Sequence, residues 1–372
     1  MNAVSLTREV AVIIGIWNQA WGVPKFSTQA KRFVNHAAES DTCDVMNTRL
    51  FGRTGQAVGE IGLGCWQLGG TDWGGLSDMR ARTILLAAMD SGVTFFDTAD
   101  VYGGGKSEEI IGAFLKERKE RPFVATKIGR ARSMFPDSYS LEAVQIGIEG
   151  SLKRLGVETI DLLQLHCIPM AILQQGDIFH WLQLVREQGK IREFGASVET
   201  VEEALLCLEQ PGLASLQVIF NVFRQKPARE LFDRALEKNV AIVVRLPLAS
   251  GLLGGHLTGQ TVFAPTDHRN YNRDGQAFNV GETFCGLEFE DGLELVARLQ
   301  TFLPPGVTLP QFAIRYILDH PAVSVVIPGS SRPTQTTANA VATKLPRLPP
   351  ERHEALRVFY ETEVASRIRG PY

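Results

Sequence analysis

The sequence predicts an α/β fold in which eight parallel strands, each followed by helical segments, close into a (β/α)8 TIM barrel. Short apolar, β-rich runs alternate with helical segments at steps of roughly 30 residues, the pattern of parallel strands joined by right-handed crossovers. Eight such runs favour a closed barrel over an open sheet. An open dinucleotide-binding sheet also needs GxGxxG at the start of its first helix, and Gly62-Leu63-Gly64 lacks the third glycine.

The elements are predicted in the following order along the chain. A small hairpin over residues 49–58 comes first, because strand-like ends flank turn residues that include Gly52 and Gly55. The eight barrel strands are predicted at residues 61–66, 93–97, 123–127, 160–166, 193–197, 216–221, 240–246 and 323–327.

The predicted helices carry sequence signals of their own. Ser107 is expected to be an N-cap, with acidic residues after it that suit the helix dipole. Residues 141–155 keep an apolar stripe at helical spacing. Residues 351–368 are predicted as a C-terminal helix packed outside the barrel. A long insertion at 251–289 follows the seventh strand, and loops of that length are usually functional or mobile.

The composition is that of a soluble globular protein, since 44% of the 372 residues are hydrophobic and 21% are charged. A net charge of −3 without a dense Lys/Arg block argues against nucleic-acid binding. No apolar run approaches the roughly 20 residues of a membrane helix. Five scattered cysteines without CxxC spacing favour a reducing cytoplasm over disulfides or a zinc site. The oligomeric state stays open.

Residues 1–45 are expected to be an extension outside the fold, and residues 46–372 a single barrel domain. The apolar stretch at 10–17 lacks the basic start and the cleavage site of a secretory signal, although a targeting peptide remains the alternative. The barrel-like pattern begins at Met46.

Four polar residues follow the carboxyl ends of consecutive predicted strands. Asp97 ends the second predicted strand and Tyr102 follows it. Lys127 ends the third strand, and His166 ends the fourth. In a barrel these ends form one rim, where catalytic groups converge. The alternative is a partly buried Asp97–Lys127 ion pair beside ordinary rim residues, but four such residues in this order favour catalysis.

In their contexts, Phe-Phe-Asp-Thr-Ala-Asp-Val-Tyr-Gly, Ala-Thr-Lys and Gln-Leu-His, these residues resemble the tetrad of the aldo-keto reductase superfamily. The resemblance implies an NADP(H)-dependent oxidoreductase that reduces a small aldehyde or ketone by hydride transfer. Tyr102 would donate a proton to the carbonyl oxygen, and the ammonium of Lys127 would lower the pKa of Tyr102. Asp97 would keep Lys127 charged, and His166 would orient the carbonyl oxygen.

The resemblance also implies a cofactor site on the same rim. Ser197 and Gln217 would bond the nicotinamide amide, although Val198 replaces the usual Asn, and Trp66 would line the pocket. Arg245 stands where the family has a stacking tyrosine, so it either covers the nicotinamide or pairs with a rim carboxylate. The other expected cofactor contacts are Pro247, Leu248, Ser250, Gly251, Ile327, Gly329, Ser331, Arg332, Gln335 and Asn339.

The segment at 327–333 is expected to bind phosphate, because backbone N–H groups at a helix N-terminus suit anions. Arg332 would pair with a 2′-phosphate and so favour NADP over NAD, unless it is a solvated loop charge. Gln335 and Asn339, four apart on one helical face, would contact the adenine. Many relatives have a lysine at the Gly329 position and an arginine at that of Gln335, so their absence weakens the phosphate preference.

Two other functions stay open. A regulatory or sensor subunit would bind NADP(H) with little turnover, as channel-associated members of the superfamily show. A Schiff-base aldolase would use Lys127 as its nucleophile, but Asp97 would keep that lysine protonated. The sequence does not identify the substrate.

Overall fold

The computed structural model describes residues 46–372, and the predicted extension at 1–45 lies outside the described residues. The strands are β1 Thr48–Leu50, β2 Ala57–Gly59, β3 Leu63–Gly64, β4 Phe95–Asp97, β5 Phe123–Ile128, β6 Ile160–His166, β7 Ile191–Ser197, β8 Leu213–Ile219, β9 Ala241–Arg245 and β10 Val323–Val326. β1 and β2 form the predicted antiparallel hairpin.

The remaining eight strands form one parallel sheet in chain order from β3 to β10. Parallel bridges from Ile61 to Val326 and from Gly64 to Gly329 join the first strand to the last. The sheet is therefore closed, and the predicted (β/α)8 barrel is confirmed. β3 is shorter than expected because Trp66 already begins a short helix.

Helices surround this barrel. Those of eight residues or more are Asp78–Asp90, Lys106–Lys116, Leu141–Leu155, Asp177–Glu187, Val201–Leu208, Phe289–Leu299, Leu309–Leu318, Pro333–Val341 and Pro350–Phe359. Shorter ones are Trp66–Gly69, Met170–Gln175, Lys226–Glu230, Phe232–Glu237 and His268–Tyr271. None of the helices within residues 46–372 is long and apolar enough to span a membrane.

The hairpin closes the end of the barrel opposite the carboxyl ends of the strands. Phe51 and Val58, both fully buried, belong to the apolar cluster inside the barrel. The ring of Phe51 lies 5.5 Å from that of Phe95 and 5.4 Å from that of Phe123. Side chains fill this end of the barrel. A ligand therefore has to approach from the opposite rim, at the carboxyl ends of the strands.

The prediction that Ser107 is an N-cap is wrong. The helix begins at Lys106, and its N-cap is Gly105, whose φ of 99° favours glycine. Ser107 is buried within the first turn, where its hydroxyl accepts from Thr98 and donates to the carbonyl of Cys65, each at 2.8 Å. The residue therefore ties the helix to the ends of β3 and β4.

The predicted C-terminal helix is confirmed over Pro350–Phe359, and the chain then continues as the π-helical turn Tyr360–Val364 and the 3-10 turn Ala365–Arg367. It packs against the outside of the barrel, with the rings of Phe359 and Phe302 5.5 Å apart.

Arg49→Met is expected to lower the free energy of unfolding by about 3–5 kcal/mol. The guanidinium of Arg49 donates to the carbonyls of Leu318 (2.5 Å), Val323 (2.6 Å) and His320 (3.3 Å), and it pairs with the buried Glu60 at 2.9 Å. Methionine keeps the packing but leaves these acceptors unpaired.

Urea unfolding measures the change in stability caused by Arg49→Met. Arg121→Met, at an exposed arginine without a side-chain partner among the described residues, is the matched control. If both variants unfold at the wild-type midpoint, the hairpin does not depend on Arg49.

Candidate active site

The four residues of the predicted tetrad meet at the carboxyl end of the barrel. Lys127 Nζ donates to Asp97 Oδ1 at 2.6 Å, to the carbonyl of Thr98 at 2.8 Å and to Tyr102 Oη at 3.2 Å. The ring of His166 lies edge-on to that of Tyr102, with centroids 5.7 Å apart. β4, β5 and β6 are adjacent parallel strands, which is why residues far apart in sequence come together here.

Lys127 is charged although its side chain is 1% exposed. Burial opposes the charge, but Asp97 and Tyr102 outweigh it, so the pKa of Lys127 lies above its ordinary value. Asp97 is held in turn by Gln217, which donates to Oδ2 at 2.7 Å, and by Gln164 at 3.3 Å. The carboxylate is therefore fixed from three sides.

The expectation that Tyr102 has a lowered pKa is wrong for this structure. Burial raises the pKa of Tyr102 to about 12, and the ammonium of Lys127 lowers it by less than burial raises it. The phenol is therefore protonated at neutral pH and can act as a proton donor. The sequence identified the neighbouring charge but not the depth of burial.

His166 is neutral in this site. Burial, and then the charges of Lys127, Arg130 and Arg245, hold the pKa of His166 well below its usual range. Its Nδ1 has no hydrogen-bond partner among residues 46–372. A neutral imidazole can still donate one hydrogen bond to a substrate oxygen.

A close contact between two backbone segments positions Tyr102. A Cβ on Gly103, whose φ is 61°, would lie 1.5 Å from the carbonyl oxygen of Gly69, so both segments need glycine here. This approach brings the short helix that begins at Trp66 against the tyrosine. The rings of Trp66 and Tyr102 are stacked with centroids 5.7 Å apart.

A cavity of about 890 Å³ opens above these residues. Asp97, Tyr102 and His166 line it, whereas Lys127 lies behind Tyr102 and reaches the cavity through that hydroxyl. Every residue expected to contact a cofactor also lines it: Trp66, Ser197, Gln217, Arg245, Pro247, Leu248, Ser250, Gly251, Ile327, Gly329, Ser331, Arg332, Gln335 and Asn339.

Arg245 forms an ion pair with a carboxylate of the long insertion. Its Nη1 lies 2.5 Å from both carboxylate oxygens of Glu282, and its Nη2 donates to the carbonyl of Val198 at 2.9 Å. Mutual attraction outweighs burial, so the pKa of Glu282 is lowered and that of Arg245 is raised. Of the two interpretations of Arg245, pairing with a rim carboxylate is present, and its guanidinium still faces the cavity.

The loop before helix Pro333–Val341 differs from the expectation. Gln335 Oε1 accepts from the backbone N–H groups of Ser331 (2.9 Å) and Arg332 (3.2 Å). These two donors, expected to bind phosphate, are therefore used internally, and Gln335 caps its own helix. The side chain of Arg332 is exposed and makes no hydrogen bond within residues 46–372.

The long insertion covers one side of the cavity. In the sequence, only its length indicated a functional role. Asp72 accepts from Trp66 Nε1 at 3.1 Å and from Tyr271 Oη at 3.0 Å. The imidazole of His268 packs 4.3 Å from the ring of Trp73. Asp72, Trp73, Tyr271 and Glu282 also line the cavity, and no short motif in the sequence indicated them.

Cys167, Glu199 and Glu282 place ligand atoms within 4.8 Å of one another, a spacing that would suit a metal ion. Each carboxylate is instead paired with an arginine, Glu282 with Arg245 at 2.5 Å and Glu199 with Arg130 at 2.7 Å. Burial also raises the pKa of the Cys167 thiol to about 11. We interpret the cluster as an ion-pair network.

Strained backbone is concentrated at the strand ends that face the cavity. Cys167 after β6, Leu246 after β9 and Ser250 in the following turn have φ values of 45°, 51° and 54°. Such conformations cost of order 1–3 kcal/mol each and cluster at functional sites.

Comparison with known proteins agrees with this fold. The sequence profile described as the Aldo/keto reductase family matches residues 60–361. The aldo-keto reductase YhdN of Bacillus subtilis (strain 168) is 30% identical over 77% of this chain and 85% of that protein. An aldo-keto reductase of Schizosaccharomyces pombe, yakc, whose name includes NADP(+), is 29% identical over 80% of this chain and 87% of that protein. The structure of a glycerol dehydrogenase from Gluconobacter oxydans has a TM-score of 0.70 at 28% identity, covering 89% and 99% of the two chains.

Proposed function

The chain belongs to the aldo/keto reductase family, and we propose that it is an NADP(H)-dependent oxidoreductase that reduces small aldehydes or ketones to alcohols. The observation that carries the proposal is the contact of Tyr102 Oη with Lys127 Nζ at 3.2 Å beneath the cavity. This contact gives a protonated phenol a route for exchanging its proton, next to the space where a carbonyl would bind.

Each tetrad residue has a role that its environment supports. Tyr102 donates the proton to the carbonyl oxygen, and Lys127 stabilises the phenolate that is left. Asp97 keeps Lys127 charged and in place. His166, neutral and facing the cavity, donates a hydrogen bond that positions the carbonyl oxygen and stabilises developing negative charge.

NADPH supplies the hydride when it is bound. The residues around the cavity fit such a cofactor, because polar side chains line it beside the tetrad, and Arg332, whose side chain no residue between 46 and 372 engages, lines it as well. Ser197, Gln217 and Arg245 would hold the nicotinamide end. Arg332 and Asn339 would hold the adenosine phosphate end. The NADP(+) in the name of the S. pombe relative supports the same choice of cofactor.

The ion pair of Lys127 argues against Schiff-base chemistry. A nucleophilic lysine must be neutral, and Asp97 at 2.6 Å favours the charged form. We also propose a cytoplasmic location, since the four cysteines of the described chain, Cys65, Cys167, Cys207 and Cys285, are all buried free thiols.

Oxidation of NADPH in the presence of a panel of aldehydes and ketones, followed by the loss of NADPH absorbance, tests the proposed function. Turnover with any member of the panel supports the reductase. Tight NADPH binding without turnover across the panel would instead indicate a cofactor-binding regulatory subunit.

Arg332→Ala is expected to weaken NADPH binding about 10- to 150-fold, the range for loss of a charge-assisted hydrogen bond, and to leave NADH binding nearly unchanged. High salt should weaken NADPH binding more than NADH binding, because the arginine is exposed.

Quenching of tryptophan fluorescence during titration of each cofactor measures both affinities, and Arg121→Ala is the control for loss of an exposed arginine. Equal losses for the two cofactors would mean that Arg332 shapes the loop rather than recognising the 2′-phosphate.

A further inference from the structure

We infer that Arg130 binds an oxyanion carried by the substrate, a carboxylate, so that the enzyme prefers oxo-acids to neutral aldehydes of the same shape. The inference rests on the proposed function and names the substrate class for the same site.

Arg130 is held rigidly at the rim. It lies three residues after Lys127, in the loop that follows β5, and it lines the cavity. Its Nη2 donates to Glu199 Oε1 at 2.7 Å, and its guanidinium lies 5.6 Å from the centre of the Phe135 ring. Glu199 is fixed in turn by Asn279 of the insertion at 3.0 Å. A guanidinium positioned in advance loses little entropy when it binds a ligand.

The guanidinium of Arg130 still has donors to offer. Its Nε is buried without a hydrogen-bond partner, and its Nη1 makes no hydrogen bond to any residue between 46 and 372. Nη1, unlike Nε, is not buried, so a ligand in the cavity can accept from it without displacing an existing hydrogen bond.

The carboxylates that line the cavity are already engaged. Both oxygens of Glu282 contact Arg245, both oxygens of Asp72 accept from Trp66 and Tyr271, and both oxygens of Asp97 accept from buried donors. The three carboxylates of the cavity are therefore occupied, whereas Arg130 still has an unused donor. A ligand rich in acceptors fits this arrangement better than a polyol, which brings donors as well.

The position of Arg130 sets where the anion would lie. Arg130 and His166, whose imidazole would hold the carbonyl oxygen, line the same cavity. The rings of Trp66, Trp73 and Phe278 form apolar walls around the rest of this end. A planar carboxylate matches the geometry of the guanidinium N–H groups. A short or aromatic oxo-acid can therefore place its carboxylate against Arg130 and its apolar part against these rings.

The test compares kcat/KM with NADPH for matched pairs of carbonyl compounds that differ in one charge. Suitable pairs are 4-carboxybenzaldehyde with methyl 4-formylbenzoate, and succinic semialdehyde with butanal. The wild type should favour at least one acid over its neutral partner by about 10- to 150-fold, as a charge-assisted hydrogen bond implies. A phosphorylated aldehyde, glyceraldehyde 3-phosphate against glyceraldehyde, distinguishes a phosphate site from a carboxylate site.

Arg130→Met should abolish the preference for the acid, and Arg130→Lys should keep part of it because the charge remains. Arg130→Met is also made together with Glu199→Gln, so that the half-buried carboxylate does not lose its counter-charge and unfold the loop. Arg132→Met removes an exposed charge two residues away and should leave the ratio unchanged.

Equal kcat/KM for acid and neutral partner in the wild type overturns the inference even if every variant fails to fold. A preference for phosphate over carboxylate, or one that survives in Arg130→Met with Glu199→Gln, also overturns it. In each of these cases turnover of the neutral aldehyde would still support the reductase, whereas absence of all turnover would refute the proposed function itself.

Discussion

Tyr102→Phe is expected to lower kcat for carbonyl reduction by about 10²–10⁴-fold, the usual contribution of a general acid. The substitution removes the hydroxyl that lies 3.2 Å from Lys127 Nζ but keeps the ring that stacks on Trp66. The fold and the affinity for NADPH should therefore be unchanged. Single-turnover reduction with saturating NADPH measures the chemical step, and fluorescence titration measures cofactor binding.

Tyr139→Phe is the matched control. It also removes a half-buried phenol, one that donates to the carbonyl of Gly129 at 2.8 Å, but this residue does not line the cavity. A Tyr102→Phe enzyme that turns over as fast as Tyr139→Phe would refute the assignment of the general acid.

The parts of the site that follow from strand order could be predicted from the sequence. Asp97, Lys127 and His166 lie at or next to the carboxyl ends of three consecutive parallel strands, so closing the barrel brings them together whatever the loops do. The hairpin and helix Leu141–Leu155 were also predictable, because their signals lie within a few adjacent residues.

Contacts between distant loops could not be predicted in this way. The partner of Arg245 is Glu282, 37 positions along the chain and within the insertion, where no periodic pattern fixes the path of the backbone. Gln335 lines the cavity as expected, but the sequence did not indicate that its amide oxygen also caps the N–H groups beside it at the helix start. The direction in which the pKa of Tyr102 is shifted depends on burial, and a sequence motif does not reveal burial.

Lys127→Met is expected to lower the free energy of unfolding by about 3–5 kcal/mol, as for other buried pairs that lose one partner, and to abolish most carbonyl reduction. The side chains of Lys127 and Asp97 are 1% and 4% exposed, so the carboxylate would remain buried without its counter-charge. Lys153→Met, at an exposed lysine, is the control for replacement of lysine by methionine and should unfold like the wild type.

The double variant Asp97→Asn with Lys127→Met separates the stabilising role of the pair from its chemical role. Replacing both partners by neutral side chains of similar size is often close to neutral for stability, and the amide oxygen introduced by Asp97→Asn could still accept from Gln217. Most of the lost stability should therefore return in urea unfolding. Reduction of carbonyls should not return, because Tyr102 would still lack the ammonium that stabilises its phenolate. Recovery of both stability and turnover in the double variant would show that the ion pair only maintains the fold, and the proton path through Lys127 would then have to be abandoned.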